Sequence, residues 1–217
     1  MKQKINLINY LAELVVVFLG ITAAFMLENW RQNYQDCQLE QKYFLSFYGD
    51  LLSDSENLKT ILPSNQRKLK RALYFISPVG GNEVDSVKAI LADMMAIELF
   101  DRKQSTYESI KNSGNLNVIS AYDLKEQLVG YYENFKLVDR IETLYLDWLS
   151  AYAIPYIYKN MDIKNQKLIS LAQIKGYQFN NTVAGYYALL NQNIEVYQQI
   201  LAKNDNLIKK ISEKIDK

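Results

Sequence analysis

Hydrophobic and polar positions recur along this chain with the period of a helix almost from end to end. Taken at every third or fourth residue, one stripe runs through Glu13, Val16, Gly20, Ala23, Leu27, Trp30, Tyr34, Cys37, Gln41, Phe44, Tyr48, Leu51, Ser55, Leu58 and Leu62. The spacing holds where the surrounding sequence passes from apolar to polar, and neither glycine nor proline interrupts residues 28–43. Such a stripe marks a helix packed along one seam. It predicts a single rod over about residues 6–62, closed by Pro63 and about 85 Å long at ~1.5 Å per residue.

The first part of that rod differs in kind from the rest. Residues 10–30 read YLAELVVVFLGITAAFMLENW, and residues 14–27 carry no charge. A bilayer core of ~30 Å needs about 20 apolar helical residues. Residues 10–30 are therefore expected to form a transmembrane helix, with a short cytoplasmic stretch over 1–9 and a helical bundle domain over 31–217. A cleaved signal peptide would share the basic start (Lys2, Lys4) and a small-residue site at Thr22, Ala23 and Ala24. It would also need an extended stretch near Ala24, which the unbroken stripe contradicts. A buried core helix is the other rival. Lys2, Lys4 and the amino terminus precede the span, while Arg31 follows it beside Glu28 and Asp36. This slight positive bias points to a cytoplasmic N-terminus. The expected setting is a cell inner membrane, crossed once, with the C-terminal domain in the periplasm. Tyr10 would mark the near interface, Trp30 and Tyr34 the far one.

Beyond Pro63 the pattern stays helical. Ser64 is expected to cap a helix over 65–76, followed by a loop through Pro78, Gly80 and Gly81. Asn82 or Asp85 would cap a second segment reaching Ile97 to Phe100, with Val87, Ile90, Leu91, Met94 and Met95 inward. Ser105, with Glu108 three residues later, has the spacing of a capping box for a helix over 106–112 that Gly114 stops. Ser120 would cap a long helix whose stripe is Leu124, Leu128, Tyr131, Phe135, Val138, Ile141, Tyr145, Trp148 and Tyr152, ending near Pro155. A short helix over 165–174 would stop at Gly176. The last helix, from about Asn180, carries Val183, Tyr186, Leu190, Ile194, Tyr197, Leu201, Asn204, Ile208, Ile211 and Ile215. No run alternates as a strand would. The fold class expected is all-α: a transmembrane helix continuous with a long helix, packed into an irregular helical bundle of three long rods.

Composition narrows the chemistry. Apolar residues make up 49% of the 217, enough for a packed core, and the net charge of +1 argues against a nucleic-acid groove. The basic clusters Arg67, Lys68, Lys70, Arg71 and Lys209, Lys210, Lys214, Lys217 read as solvated helix faces. Histidine is absent and cysteine occurs once, which excludes the usual zinc sites, Ser-His-Asp triads and Cys-His dyads. Gly80-Gly81 lacks the Lys and Ser/Thr of a phosphate loop. No catalytic, cofactor-binding or metal-ligating residue is expected, and the chain does not read as an enzyme. A carboxylate-only site could draw on Glu108, Glu126, Glu133 and Glu142, although Glu126 and Glu133 read better as solvated. Cys37, on the seam, is expected to be buried as a small apolar residue.

Three groups of residues could carry a function. Glu13 is an ionisable group within the span, and Gly20, Ala23 and Ala24 are small residues that let helices approach closely. Together they suggest a self-association face, against a plainer reading in which Glu13 reaches the headgroups. Tyr107, Glu108, Lys111, Gly114 and Asn115, with Thr106 and Ser113, form the densest polar motif. They read either as a ligand pocket or as a helix corner with Gly114 left-handed and Tyr107 and Ile110 inward. Tyr131, Tyr132, Tyr152, Tyr156, Tyr158, Tyr186 and Tyr187 could line an aromatic pocket for a hydrophobic or sugar ligand, or fill gaps in an irregular core.

The segment from Tyr10-Leu11-Ala12-Glu13 to Asn29-Trp30, with the later block Thr106-Tyr107-Glu108-Ser109-Ile110-Lys111-Asn112-Ser113-Gly114-Asn115-Leu116, resembles a family of uncharacterised single-span bacterial membrane proteins. The resemblance covers about the first 60 residues and the region 105–135. It implies a topology and no activity. The expected function is a non-enzymatic, membrane-anchored helical protein for assembly or partner binding. Its expected partners are membrane lipid and either a second copy (a homo-oligomer) or another membrane protein. The alternative is a sensor or accessory subunit that binds a small ligand in the exported bundle.

Overall fold

A computed structural model describes residues 7–77, 83–96, 98–165, 167–170 and 176–215. Among the described residues the regular structure is helical apart from one small hairpin. Helix α1, Leu7–Ile76, runs 70 residues without a break, about 105 Å at ~1.5 Å per residue. The continuity of the apolar and polar parts is as the stripe predicted, but the stop at Pro63 is not. Proline removes one hydrogen bond from the helix and costs ~3 kcal/mol in an interior position. Here Leu58, Ile61, Leu62, Asn65 and Ala72 are buried on both sides of it, so packing holds the two turns in line. Ser64 is accordingly no cap; its hydroxyl donates to Glu98 at 2.8 Å.

Helix α2, Val84–Met95, buries Val87, Ile90, Leu91 and Met94, and Glu83 stands at its N-cap position without a side-chain cap. Asp85 lies inside its first turn, and Met95 faces solvent. The other expected cap, Asn82, and Ile97 fall outside the described residues, while Phe100, the far limit expected for this helix, lies beyond its end at Met95 in irregular chain. An irregular segment, 98–104, leads to α3, Ser105–Asn112. A 3-10 turn, Asn115–Val118, follows.

The second predicted rod is bent into pieces. Helix α4, Tyr122–Glu133, gives way at Asn134 to α5, Phe135–Trp148. The cause is local: the Asn134 amide donates to the Gly130 carbonyl, and the Asn134 N–H turns to Tyr131 instead. Ser120 is not the cap of α4, which has Ala121 there; its N–H and hydroxyl both donate to Glu40. A π-helical turn, Leu149–Ala153, then joins α5 to α6, Ile154–Asn160, with Pro155 in its first turn. The extra residue in that turn rotates the following side chains. Leu149 and Ala153 face the core, and Tyr152, expected inside, is 65% exposed.

Residues expected to begin a short helix form a hairpin instead. Strands β1, Met161–Asp162, and β2, Lys167–Leu168, pair antiparallel. The Asp162 carboxylate accepts both the Asn165 backbone N–H and its side-chain amide, and this closes a turn where a helix would have started. Residue 166 and residues 171–174 of that predicted helix are outside the described residues.

Helix α7, Tyr177–Ile215, buries Val183, Tyr186, Leu190, Ile194, Tyr197, Asn204 and Ile211 of the predicted stripe. It lies antiparallel to the second half of α1. Phe179 meets Phe75 edge-on at 5.6 Å at one end, and the Lys214 carbonyl accepts from Gln41 at 3.2 Å at the other. Helices α2, α4 and α5 close the core on this pair: Tyr145 donates to the Met94 carbonyl and Tyr186 to that of Asp93.

One glycine is required by this packing. A Cβ on Gly185 would lie 2.6 Å from Trp148 Nε1, and that indole is held between Tyr145 and Tyr186 at 5.9 and 6.1 Å. Overpacking of this kind costs ~1–3 kcal/mol, more than the up to ~1 kcal/mol that alanine gains over glycine in a helix. A Cβ on Gly49 or Gly130 would meet nothing within 4 Å. Gly185→Ala should therefore lower the melting temperature while Gly49→Ala and Gly130→Ala raise it. Equal shifts for all three would remove the packing argument.

Candidate functional site

The N-terminal part of α1 projects from the bundle. Its large apolar side chains from Tyr10 to Trp30 are 48–69% exposed, and the first fully buried core residue along the helix is Phe44. This helix is long and apolar enough to cross a membrane, and none of its most apolar stretch is buried within the protein. Glu13, Gly20, Ala23 and Ala24 are all exposed. The Thr22 hydroxyl donates to the Phe18 carbonyl at 2.8 Å, which satisfies it without water. At the end of the run, Arg31 pairs with Glu28 at 2.6 Å, and Trp30 stacks on Tyr34 at 6.2 Å. Cys37 is exposed, not buried as its seam position suggested. Among the described residues the seam has no facing helix at that height, where α7 meets α1 near Gln41.

The corner motif is assembled as a structural joint. Ser105 is the first helical residue, Gln104 takes the N-cap position, and no side-chain cap forms, so the capping box predicted there is absent. Tyr107 is buried and lies flat on Tyr132, with centroids 4.5 Å apart and planes at 5°. Lys111 sits 5.4 Å from the centroid of the Tyr107 ring and 3.7 Å from Glu133. Glu108 is half-buried. Gly114 is left-handed with φ 74°, a conformation that favours glycine. Asn115 donates to the Tyr43 hydroxyl at 2.9 Å and so fastens the joint to α1.

The most organised polar chemistry lies deeper, and of its two acids the sequence singled out Glu142 but not Asp54. Asp54 of α1 is fully buried. One of its oxygens accepts the Lys103 backbone N–H at 2.7 Å, the other the Tyr131 hydroxyl at 2.7 Å. Asn204 of α7 donates to the same hydroxyl at 2.9 Å. A second buried carboxylate, Glu142 of α5, accepts from the Tyr197 hydroxyl at 2.6 Å, the Phe100 N–H at 3.2 Å and Arg102 at 3.1 Å. Arg102 also pairs with Asp139. Asn57 accepts the Asp101 N–H at 3.1 Å, and Ser64 and Lys68 hold Glu98. The irregular segment 98–104 thus has backbone donors satisfied by side chains of α1 and α5, with Phe100 as its apolar anchor against Phe135 and Tyr197. A polar residue inside an apolar stripe, as Asn204 is, was the available signal.

Of the carboxylates that could have formed an acid pair, Glu142 is committed to this network and Glu133 to Lys111 and Lys136. Glu126 is exposed. Among the described residues, no three acidic or cysteine side chains gather as a metal site would need. The tyrosines part company too: Tyr131, Tyr132 and Tyr186 are core, whereas Tyr152 and Tyr158 are each 65% exposed.

No protein-family model, curated protein or solved structure matches the chain. Geometry therefore has to carry the functional reading.

Burial pushes the Asp54 carboxyl up to about 6, a rise that the Tyr131 and Lys103 hydrogen bonds oppose and the neighbouring Asp50 increases. With the folded value raised above the unfolded one, folding is favoured by this group below about pH 4. That contribution is lost as the pH rises through about 6. Asn at this position keeps an acceptor for Lys103 and an amide that can donate to the Tyr131 hydroxyl, whose proton the oxygen of a turned Asn204 amide can accept. Asp54→Asn should gain roughly 1–2 kcal/mol over the parent between about pH 4.5 and 7.5, allowing for partial solvent screening. Parallel denaturant titrations at the two pH values measure this; an unchanged difference would assign Asp54 an ordinary acidity.

Proposed function

We propose that the protein is a non-enzymatic membrane anchor whose helical bundle serves assembly or partner binding. The observation that carries this reading is the exposure of the apolar part of α1, joined without a break to the part of the same helix that packs in the bundle core. In water that surface would be a large unfavourable apolar area; in lipid it is matched. On this reading residues 1–9 are cytoplasmic, residues 10–30 cross an inner membrane, and residues 31–217 stand on the periplasmic side. The Trp30–Tyr34 pair would sit at the outer interface. The resemblance to single-span bacterial proteins agrees with the topology.

Within the membrane, Gly20, Ala23 and Ala24 offer a face of low relief, and Glu13 shares the side of Gly20 and Ala23. Small faces drive association where the surrounding lipid is as apolar as leucine. A Glu13 carboxyl meeting a second copy or another membrane protein would avoid facing hydrocarbon alone. The seam of α1 between Glu13 and Gln41, with no partner helix among the described residues, continues this face out of the membrane.

The experiment is disulfide crosslinking in native membranes, after Cys37→Ser removes the single natural thiol. Gly20→Cys and Ala23→Cys should crosslink at least several-fold more than Phe18→Cys and Ile21→Cys. Recovery of the full chain in the alkaline-washed membrane pellet checks the anchor separately. A soluble chain would end the membrane reading, and equal crosslinking at all four positions would end the association face.

A further inference from the structure

The end of the bundle farthest from the apolar segment carries a groove that the anchor reading leaves unused. From Leu27 to Phe75 along α1 is about 70 Å at ~1.5 Å per residue, and Phe75 contacts Phe179 at the start of α7. There, between the π-helical turn, α6 and α7, Tyr152, Tyr156, Lys159, Tyr177, Gln178 and Asn181 line a groove of about 410 Å³. That volume falls in the ~300–1,000 Å³ range of small-ligand sites. Tyr156 is buried against Phe179 at 6.3 Å and makes the floor. Tyr152 and Tyr177 are 65% and 75% exposed on its walls.

The chain sets up this exposure by departing from its own pattern. The three-four stripe of α5 would carry Tyr152 into the core after Tyr145 and Trp148. The π-helical turn gives the inward places to Leu149 and Ala153 and turns Tyr152 out into the groove. Single π-helical turns recur at functional sites, and places where a strong local pattern fails are where function is expected. Outside residues 10–35, the large apolar or aromatic side chains more than 60% exposed among the described residues are Tyr122, Tyr152, Tyr158, Ile169 and Tyr177. Of these, Tyr152 and Tyr177 line the same groove.

The lining selects a ligand class. Exposed phenol rings offer flat apolar faces with polar rims. Gln178 and Asn181 add uncharged amides that both donate and accept. Lys159 is the one charged side chain in the lining among the described residues, which include no carboxylate there. A lipid or a purely apolar peptide would leave these amides unpaired, which is costly when water is displaced. A polyhydroxylated ring with one C–H face matches both halves of the surface. We propose that this groove is a carbohydrate-binding site that stacks a neutral or anionic pyranose on Tyr152 and Tyr177 and hydrogen-bonds its hydroxyls through Gln178 and Asn181. This does not depend on the membrane reading.

The test is titration of the full chain, in a detergent without a sugar headgroup, with cello-, chito-, xylo- and maltohexaose, followed by saturation-transfer NMR. At least one of the four should bind saturably. Tyr152→Ala and Tyr177→Ala should each weaken that binding about tenfold, the equivalent of one stacking contact. Tyr152→Phe, which keeps the ring, should retain most of it, and Tyr122→Ala should leave it unchanged. Both tyrosines are exposed, so unaltered melting curves are expected to show that the alanine variants fold. The proposal is overturned if none of the four sugars gives a saturable signal, if the Tyr152→Ala, Tyr177→Ala double variant binds as the parent does, or if only an apolar dye occupies the groove.

Discussion

The hydrogen-bond ladder of α1 is what the rest of the molecule hangs from. A helix satisfies its backbone groups internally, so one segment can pass from a medium without water into one with it and need no change of conformation. The 70 residues of α1 carry two different surfaces on one such ladder. Over residues 10–30 the ladder supplies the backbone partners, with the Thr22 hydroxyl added at Phe18, and every side chain but the half-buried Thr22 is exposed. From Phe44 onward the same ladder presents Phe47, Leu51, Leu58, Ile61 and Leu62 to the bundle. Because α7 pairs with that second half over most of its length, a break in α1 would separate the projecting segment from the core and divide the core as well.

Given that rod, the polar groups in the core have a definite task. Segment 98–104 crosses α1 without regular structure, so its N–H groups need partners that no helix supplies. Asp54, Asn57 and Glu142 provide them from fixed positions on α1 and α5. The arrangement costs desolvation of two carboxylates, offset by Tyr131, Tyr197 and Arg102. In return the segment has one place to sit, with Phe100 packed between Phe135 and Tyr197. The Tyr131 hydroxyl joins α4 to α1 and, through Asn204, to α7, and the Tyr197 hydroxyl joins α7 to α5, so fold specificity and polar satisfaction go together here.

Helical periodicity made much of this legible. The stripes of α1, α4, α5 and α7 appear in the sequence because a three-four repeat of Leu, Ile, Tyr and Phe has one geometric reading, and the buried residues from Phe44 to Leu62 and from Val183 to Ile211 follow it. What the stripe could not reveal depends on single side chains competing with the backbone. Asn134 takes the Gly130 carbonyl and splits a rod; Asp162 captures Asn165 and makes a hairpin. Pro63 misled in the opposite direction, since its local cost is outweighed by burial on either side. The corner residues Tyr107, Gly114 and Asn115 were visible as a motif, but their joining to Tyr132 and Tyr43 is long-range. Asp54 and Glu142 gave no local sign of burial: an acidic residue one step off an apolar stripe looks the same whether it is solvated or enclosed.

The two kinds of exposed surface then call for two kinds of surroundings. Along residues 14–27 the side chains are mostly aliphatic or phenylalanine, continuous around the helix, and contain one hydroxyl, bonded back to its own helix. Such a surface has nothing to offer water or a polar ligand, and its complement is hydrocarbon or another apolar helix. At the opposite end, the exposed groups are tyrosines interleaved with Gln178, Asn181 and Lys159 around a concavity. That surface would be poorly matched to lipid, since its amides and hydroxyls would go unpaired, and it stands about 70 Å away along α1. A chain that merely tolerated exposed apolar area would have no reason to sort it this way. The length of α1 sets the two surfaces apart, the polar-aromatic groove at one end and the apolar segment at the other.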